Sequence, residues 1–195
     1  MIVVDVETTG TEEHVHSLLS IGAVDFLKPS RKFYKECRMF PGAHIMESAS
    51  HVNGYTEEEM KDPSKMSDGE LVKEFIAWAE EGSGLLFAAH NTMFDFNFIR
   101  VTCERNHIDF PFPKRTLDLH TVCFTQMLHQ GIEPLLEDGK SLLNTDTVMK
   151  YCGLPVEPKP HIASNGASYA AEAFSRLLKN EKLLPQFEQY EIPWI

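Results

Sequence analysis

The stretch IVVDVETTG, residues 2–10, predicts a buried strand that ends in two carboxylates. Side chains alternate along a strand, so Asp5 and Glu7 should project from the same face. The TTG that follows is turn-forming and should end the strand. Two like charges on a buried strand repel each other and lose hydration, a cost that divalent cations commonly offset. Oxygen-only ligands favour Mg²⁺ or Mn²⁺ over zinc. Considered alone, the segment also fits an ordinary strand end with solvated acids.

The bulk composition favours one domain over residues 1–195, because 43% of the 195 residues are hydrophobic. No apolar run approaches the roughly 20 residues that cross a bilayer. The chain enters its first strand without a basic leader, so we expect a cytoplasmic protein with no membrane partner. The four cysteines form no C-x-x-C pair and should be reduced, mostly buried thiols.

The net charge of −11 argues against a protein that clamps long duplex nucleic acid, because such proteins usually carry a basic face. A short single-stranded end can still be bound if metal ions and a few local cations face its phosphates. The charge therefore does not exclude a nuclease.

The order of apolar segments predicts a mixed sheet with helices on both faces. Strands are expected at 1–6, 16–26, 33–40, 85–89 and 115–119, the first three forming a meander. Helices are expected at 71–81, 94–105, 119–129, 142–151 and 167–179. Residues 41–66 are polar and are predicted to be irregular.

A second group of polar residues, HNTMFDF at 90–96, lies where a buried strand gives way to a helix. Ligand sites of open α/β sheets gather at the carboxyl ends of strands. Asp95 should therefore lie on the first helical turn and point toward Asp5 and Glu7. The alternative is that Asn91 caps the helix and Asp95 complements its dipole.

A third group, KPHIASNGA at 159–167, opens the last helix. His161 is a titratable group suited to act as a general base near neutral pH. A lone histidine is nevertheless more often structural, and Ser164 or Asn165 fits a helix cap.

These three groups resemble the motifs of the DEDD exonucleases, which include polymerase proofreading exonucleases and ribonuclease T. Residues 3–10 resemble the first motif, residues 90–95 the second, and His161 with Ala163 the third in its histidine-bearing (DEDDh) form. Residues 49–56 and 116–119 agree with intermediate segments. The resemblance implies a ribonuclease H-like fold, a mixed five-stranded sheet flanked by helices.

The resemblance also implies hydrolysis of the terminal phosphodiester at a 3′ end with two metal ions, roughly 4 Å apart. Asp5 would bridge the ions, and Glu7 would bind one of them and contact the terminal sugar. Asp95 would serve the second ion, largely through water. His161 would take the proton of the attacking water.

The expected substrates are 3′ ends of single-stranded DNA or RNA, and the residues leave that choice open. A polymerase or another protein is a candidate partner. The residues expected to contact nucleic acid are Thr8, Thr9, Gly10, His51, Asn91 and Phe94.

The third motif departs from the family at one position. It normally reads His-x-Ala-x-x-Asp, but here Gly166 occupies the last position, and no aspartate follows Asp146. Asn165 offers a neutral oxygen, and Glu172 should lie on the wrong face of the helix. We therefore expect one well-bound Mg²⁺ or Mn²⁺ ion and a weaker second one. Gly166→Asp is expected to fold normally and to raise activity.

Three functions fit these observations. The first is a metal-dependent 3′–5′ exonuclease, weakened by Gly166. The second is a catalytically inactive nucleic-acid-binding domain that retains partial metal binding. The third is other carboxylate chemistry, such as a metal-dependent phosphatase. Gly166 favours the inactive domain, whereas His161 favours the nuclease, because a binding module has little use for a base there.

Overall fold

A five-stranded mixed sheet forms the centre of the computed structural model, which describes residues 1–195. Its strands are β1 (Ile2–Thr8), β2 (Leu18–Asp25), β3 (Lys32–Glu36), β4 (Phe87–Ala89) and β5 (Leu117–Asp118). They lie in the order β3-β2-β1-β4-β5. The first three strands pair antiparallel, and β1, β4 and β5 run parallel. The predicted sheet is confirmed, and its central strand is the one that carries the two carboxylates.

Helices cover both faces of this sheet, as predicted. One buried cluster joins the sheet to the helices α3 (Asp68–Glu80) and α4 (Thr92–Arg105), and the other joins it to α5 (Leu119–His129), α6 (Thr145–Tyr151) and α7 (Ala163–Lys179). A hairpin, β6 (Leu136–Glu137) and β7 (Lys140–Ser141), lies apart from the main sheet. The remaining two of the seven helices are α1 (Glu47–Asn53) and α2 (Glu57–Lys61), and a 3-10 turn follows α7 at Pro185–Phe187.

The expectation of irregular structure at 41–66 is wrong, because α1 and α2 lie there. Thr56 and Glu59 form a capping box, in which each side chain accepts the other's backbone N–H. Helix α1 ends at Gly54, which has the left-handed conformation. Both helices span two turns or fewer, too few for an apolar period to show.

Helix α7 begins four residues earlier than predicted because its first turn packs on the sheet. Gly22 lies opposite Asp5 in the pairing of β1 with β2. A Cβ atom at Gly22 would lie 2.0 Å from the carbonyl oxygen of Ala163. The glycine therefore lets the start of α7 lie directly on β2, beside Asp5.

The alternation of β1 sets which layer each side chain meets. Val4 belongs to the cluster shared with α3 and α4, whereas Val3 belongs to the cluster shared with α7. Asp5 and Glu7 have the same parity as Val3 and so point to the α7 side. The four cysteines are buried and unpaired, as expected, and no helix is long and apolar enough to cross a membrane.

Candidate active site

Two carboxylates of β1 accept no hydrogen bond from the protein, Glu7 being buried and Asp5 half-buried. Glu7 is 8% exposed. Burial, and then the charge of Glu157, raises the pKa of Glu7 to about 8. Burial likewise raises the pKa of Asp5, and the charges of Asp95, Glu7 and Glu157 add to the effect. Each carboxylate is therefore costly to ionise unless a cation lies beside it.

Asp95 joins these two acids, as predicted. It lies in the first turn of α4, and its Oδ1 accepts the backbone N–H of Val6 at 3.0 Å. Val6 separates Asp5 from Glu7, so this bond fixes Asp95 against the carboxylate-bearing end of β1. Burial raises the pKa of Asp95, and the charge of Glu7 adds to that rise.

The start of α4 is capped by Asp118 rather than by Asn91. Asn91 has the left-handed conformation (φ 55°), and its side chain makes no capping bond. The backbone N–H of Thr92 instead donates to Asp118 Oδ2 at 2.6 Å. Asp118 Oδ1 accepts the N–H of Thr121 and so also caps α5. The alternative role of Asn91 as a side-chain cap is therefore wrong.

His161 lies immediately before α7, on the same side of the sheet as Asp5. Its backbone N–H donates to the carbonyl oxygen of Val52 at 3.0 Å, which ties this segment to the end of α1. Its side chain is 26% exposed, and Nδ1 lies 4.0 Å from Glu157 Oε2. The ring is thus accessible to solvent at the edge of a buried group of acids.

Gly166 packs against the Asp5 carboxylate. A Cβ atom at this position would lie 2.4 Å from Asp5 Oδ2 and 2.6 Å from its Cγ. Any side chain at position 166 would therefore have to displace the Asp5 carboxylate, and the expectation that this position readily accepts aspartate stays a prediction. The displacement would come from this steric contact and not from backbone strain, since Gly166 lies within a regular helix.

Asn165 and Glu172, the other two possible metal ligands near Gly166, differ in whether their side chains are free to bind an ion. Asn165 is partly buried, and its side chain forms no hydrogen bond. Glu172 is fully buried and saturated, as expected for a residue on the wrong face of α7. Its Oε1 accepts Arg176 Nε at 2.8 Å, and its Oε2 accepts two backbone N–H groups, of Leu183 and Leu184.

A groove of about 300 Å³ opens beside Glu7. It brings together three of the residues expected to contact nucleic acid, namely Thr8, Gly10 and Phe94. Asn53, which the motifs did not single out, also lines the groove, and its Nδ2 donates to the carbonyl oxygen of Thr8 at 3.0 Å. The remaining lining residues are Val6, Glu7, Thr11, Met46, Ser48, Ala49 and Val52.

Thr9, His51 and Asn91 do not line this groove. Thr9 is fully buried, and its Oγ1 accepts the backbone N–H of Ser17 at 2.9 Å. The Thr9 hydroxyl is therefore used inside the fold, and a contact of Thr9 with nucleic acid stays a prediction. His51 is exposed on α1, and Nδ1 lies 2.8 Å from the carbonyl oxygen of Glu47.

Glu157 is the buried acid that the motifs did not reveal. Its side chain is 4% exposed, and Oε1 accepts the N–H of Ile162 at 3.4 Å. Burial raises its pKa, while His161 opposes that rise. The signal in the sequence was a glutamate four residues before His161, in a segment whose expected aspartate is missing.

The donor set fits a hard divalent cation. No three histidine, cysteine, aspartate or glutamate side chains form a complete metal centre in the structure. The acids nevertheless offer only oxygen, and Glu7 is buried with no hydrogen bond to its carboxylate. Oxygen ligands of this kind suit Mg²⁺ or Mn²⁺.

The acids of this site lie at the end of the central strand of a ribonuclease H-like sheet. This combination of fold and site is that of a class of nucleases. The family model described as "Exonuclease" (RNase_T) matches residues 2–184. The chain therefore belongs to the RNase T exonuclease family, and the predicted family resemblance is confirmed.

Several proteins are similar in sequence to the chain. DNA polymerase III PolC-type of Thermotoga maritima is 30% identical over 104 residues, 53% of this chain and 7% of that protein. Ribonuclease T of Vibrio parahaemolyticus is 29% identical over 136 residues, 62% of this chain and 64% of that protein. The chain thus spans less than two thirds of either relative.

Among solved structures, the nuclease domain of 3′hExo, a DEDDh family member bound to rAMP, superposes with a TM-score of 0.71. The match covers 94% of this chain and 93% of that domain at 15% identity. At this identity the likeness shows the fold alone, and it confirms the predicted ribonuclease H-like architecture.

Proposed function

We propose that this chain is a metal-dependent 3′–5′ exonuclease that removes terminal nucleotides from single-stranded DNA or RNA. The observation that carries the proposal is the convergence of the half-buried Asp5 with the buried Glu7 and Asp95 at the end of the central strand. Nothing in a purely structural role explains three neighbouring acids whose pKa values burial raises.

Asp5, Glu7 and Asp95 are the residues that would hold Mg²⁺ or Mn²⁺. When bound, such ions lower the pKa of water and stabilise the charge that develops on the phosphate. Asp5 is the central acid of the three, since the charges of both other acids act on it. The Val6 N–H keeps Asp95 aimed at this point and reduces the repulsion that it would otherwise meet.

His161 is the proposed general base. Its partial exposure lets it exchange a proton with solvent after each turnover, which a buried histidine does less readily. The bond from its backbone N–H to Val52 fixes the segment at the edge of the site. A positioned base typically contributes about 10²–10⁴-fold to the rate.

The groove beside Glu7 is the proposed site for the terminal nucleotide. Its wall includes the partly buried ring of Phe94, which packs against the tilted ring of Phe98 with 4.8 Å between the ring centroids and so is held in place. Base stacking on such a ring is tolerant of sequence. The PolC-type relative supports a polymerase as a partner, and ribonuclease T supports RNA as a substrate.

The test is cleavage of oligonucleotides labelled at either the 3′ or the 5′ end, with Mg²⁺ or Mn²⁺. We expect the 5′-labelled strand to shorten one nucleotide at a time and the 3′-labelled strand to release mononucleotide at once. His161→Ala should lower the rate by about 10²–10⁴-fold with little change in oligonucleotide binding. Asp5→Asn is the metal-site control and should abolish cleavage.

Gly166 supports a second candidate, a binding domain without activity, because it removes one of the family's acids. In that case the wild-type protein would bind the same oligonucleotides but leave them intact with either metal. An unimpaired rate in His161→Ala would instead keep the nuclease and remove this base from its mechanism.

A further inference from the structure

Glu157 places a fourth carboxylate near Asp5 and Glu7, two of the three acids of the proposed site. Its side chain is 4% exposed, and its Oε2 receives no hydrogen bond, since His161 Nδ1 is 4.0 Å away. The single bond to its Oε1, from the N–H of Ile162, is long at 3.4 Å. A buried carboxylate with an unpaired oxygen is unfavourable unless another positive partner is present.

The charge of Glu157 acts on both carboxylates of β1. After burial, it is the cause that raises the pKa of Glu7, and it is among the charges that raise the pKa of Asp5. No lysine or arginine forms an ion pair with Asp5, Glu7, Asp95 or Glu157. The protein itself therefore supplies no fixed cation to this group.

Glu7 independently indicates that a ligand belongs here. It is more than nine-tenths buried, and its carboxylate accepts no hydrogen bond from any residue. Buried polar groups are almost always paired with protein groups or water, so a largely buried carboxylate that faces a groove without a protein partner is available to a ligand from outside the chain. A divalent cation fits acceptors that offer only oxygen.

Position 166 cannot supply the missing acid without disturbing this arrangement. A Cβ atom at Gly166 would meet the Asp5 carboxylate at 2.4 Å. The segment that leads into α7 offers a glutamate instead, nine residues earlier in the chain. Four carboxylates would also match the charge of two divalent cations, as the family mechanism requires.

We propose that Glu157 is the fourth metal-binding carboxylate of this site and supplies the negative charge that position 166 lacks. This inference rests on the proposed function, because it concerns the same metal site. The loop before α7 would thus supply the fourth carboxylate. In relatives with an aspartate in the third motif, the helix itself supplies it.

The test is titration of Mn²⁺ alone into the metal-free protein by calorimetry. Glu157→Gln preserves shape and the bond from Ile162 but removes the charge. Changes to residues that merely support metal ligands cost about 10–100-fold in affinity, so loss of a ligand should cost at least about tenfold. Glu181→Gln is the matched control, since Glu181 is exposed beyond the opposite end of α7, and it should bind Mn²⁺ like the wild type.

Wild-type Mn²⁺ affinity in Glu157→Gln would overturn the inference and would leave Glu157 at most a positioning residue for His161. If Glu157→Gln does not fold, Glu157→Asp keeps the charge with a shorter reach and should also bind Mn²⁺ more weakly; equal binding again overturns the inference. Cleavage by the wild type together with unchanged binding in Glu157→Gln rejects this inference alone. Glu157-dependent binding without any cleavage rejects the proposed function alone.

Discussion

At the scale of single residues, the unusual feature is the burial of acids without partners. Glu7 shows it most clearly, because burial raises its pKa to about 8, above the ordinary value of 4.5. The folded protein therefore holds this proton more tightly than the unfolded chain does. Such a group favours folding below its unfolded pKa, and that contribution is lost as the pH rises through the folded pKa.

This linkage predicts that the metal-free protein loses stability between about pH 4.5 and pH 8. Melting temperatures in the presence of a chelator should fall across this window. Added Mg²⁺ should raise the melting temperature more at pH 8 than at pH 5, because it binds the ionised carboxylates. Glu7→Gln should flatten the metal-free profile, and a wild-type melting temperature that rises across the window would contradict the assignment.

The sequence motifs predicted most of the site, because each acid lies at a position in a strand or helix that determines the direction of its side chain. Asp5, Glu7 and Asp95 were found from strand parity and from the start of a helix, which are local properties. Glu157 and the contact of Gly166 with Asp5 were not found. Both depend on how closely α7 approaches β1, which no local pattern encodes.

At the scale of elements, the site depends on the approach of α7 to the sheet. Two glycines allow this approach. The absent side chain of Gly22 leaves room for the Ala163 carbonyl group, and the absent side chain of Gly166 leaves room for the Asp5 carboxylate. All five strands were predicted, and apolar runs mark the three buried ones, β1, β2 and β4. The first turn of α7 was missed because packing on Gly22 extends the helix beyond its apolar period.

Gly166→Ala tests this approach directly. The added methyl group would lie 2.4 Å from Asp5 Oδ2, so the carboxylate must move out of its place. We expect Mn²⁺ affinity and cleavage to fall by about tenfold or more, as for other changes that misplace a ligand. Stability should change less, because alanine favours a helix over glycine by about 1 kcal/mol.

Ser164→Ala, in the same helical turn, is the control and should leave Mn²⁺ binding unchanged. Wild-type metal binding in Gly166→Ala would show that Asp5 moves freely or does not bind the metal. Gly166→Asp shares the same added Cβ, so its new carboxylate must outweigh the displacement of Asp5 before any activity is gained.

At the scale of the whole molecule, a buried arginine joins α7 to the C-terminal segment. Arg176 is fully buried and pairs with Glu172 at 2.8 Å. Its other guanidinium nitrogens donate to the carbonyl oxygens of Cys152, Phe187, Tyr190 and Glu191. All five N–H groups of this side chain are therefore used, and three of them bind residues 187–191 of the C-terminal segment.

Arg176→Met should lower the free energy of unfolding by about 3–5 kcal/mol, the usual cost of leaving a buried charge unpaired. Arg100→Met is the matched control, because Arg100 pairs with Glu104 at the same four-residue spacing but at the surface. That change should cost less than about 1 kcal/mol. Denaturant titration of both variants measures the difference in their free energies of unfolding. Similar losses would mean that the buried pair stabilises the protein no more than the surface pair does.

The hydrogen bonds of Arg176 also determine where the chain can be truncated without disturbing its fold. The family match stops at residue 184, before three of the four carbonyl groups that this guanidinium binds. A chain shortened to residue 184 would keep every acid of the proposed site but would strip hydrogen-bond acceptors from a buried cation. Homology alone would thus place the boundary too early, and a fragment ending there should be prone to proteolysis and aggregation although its active-site sequence is intact.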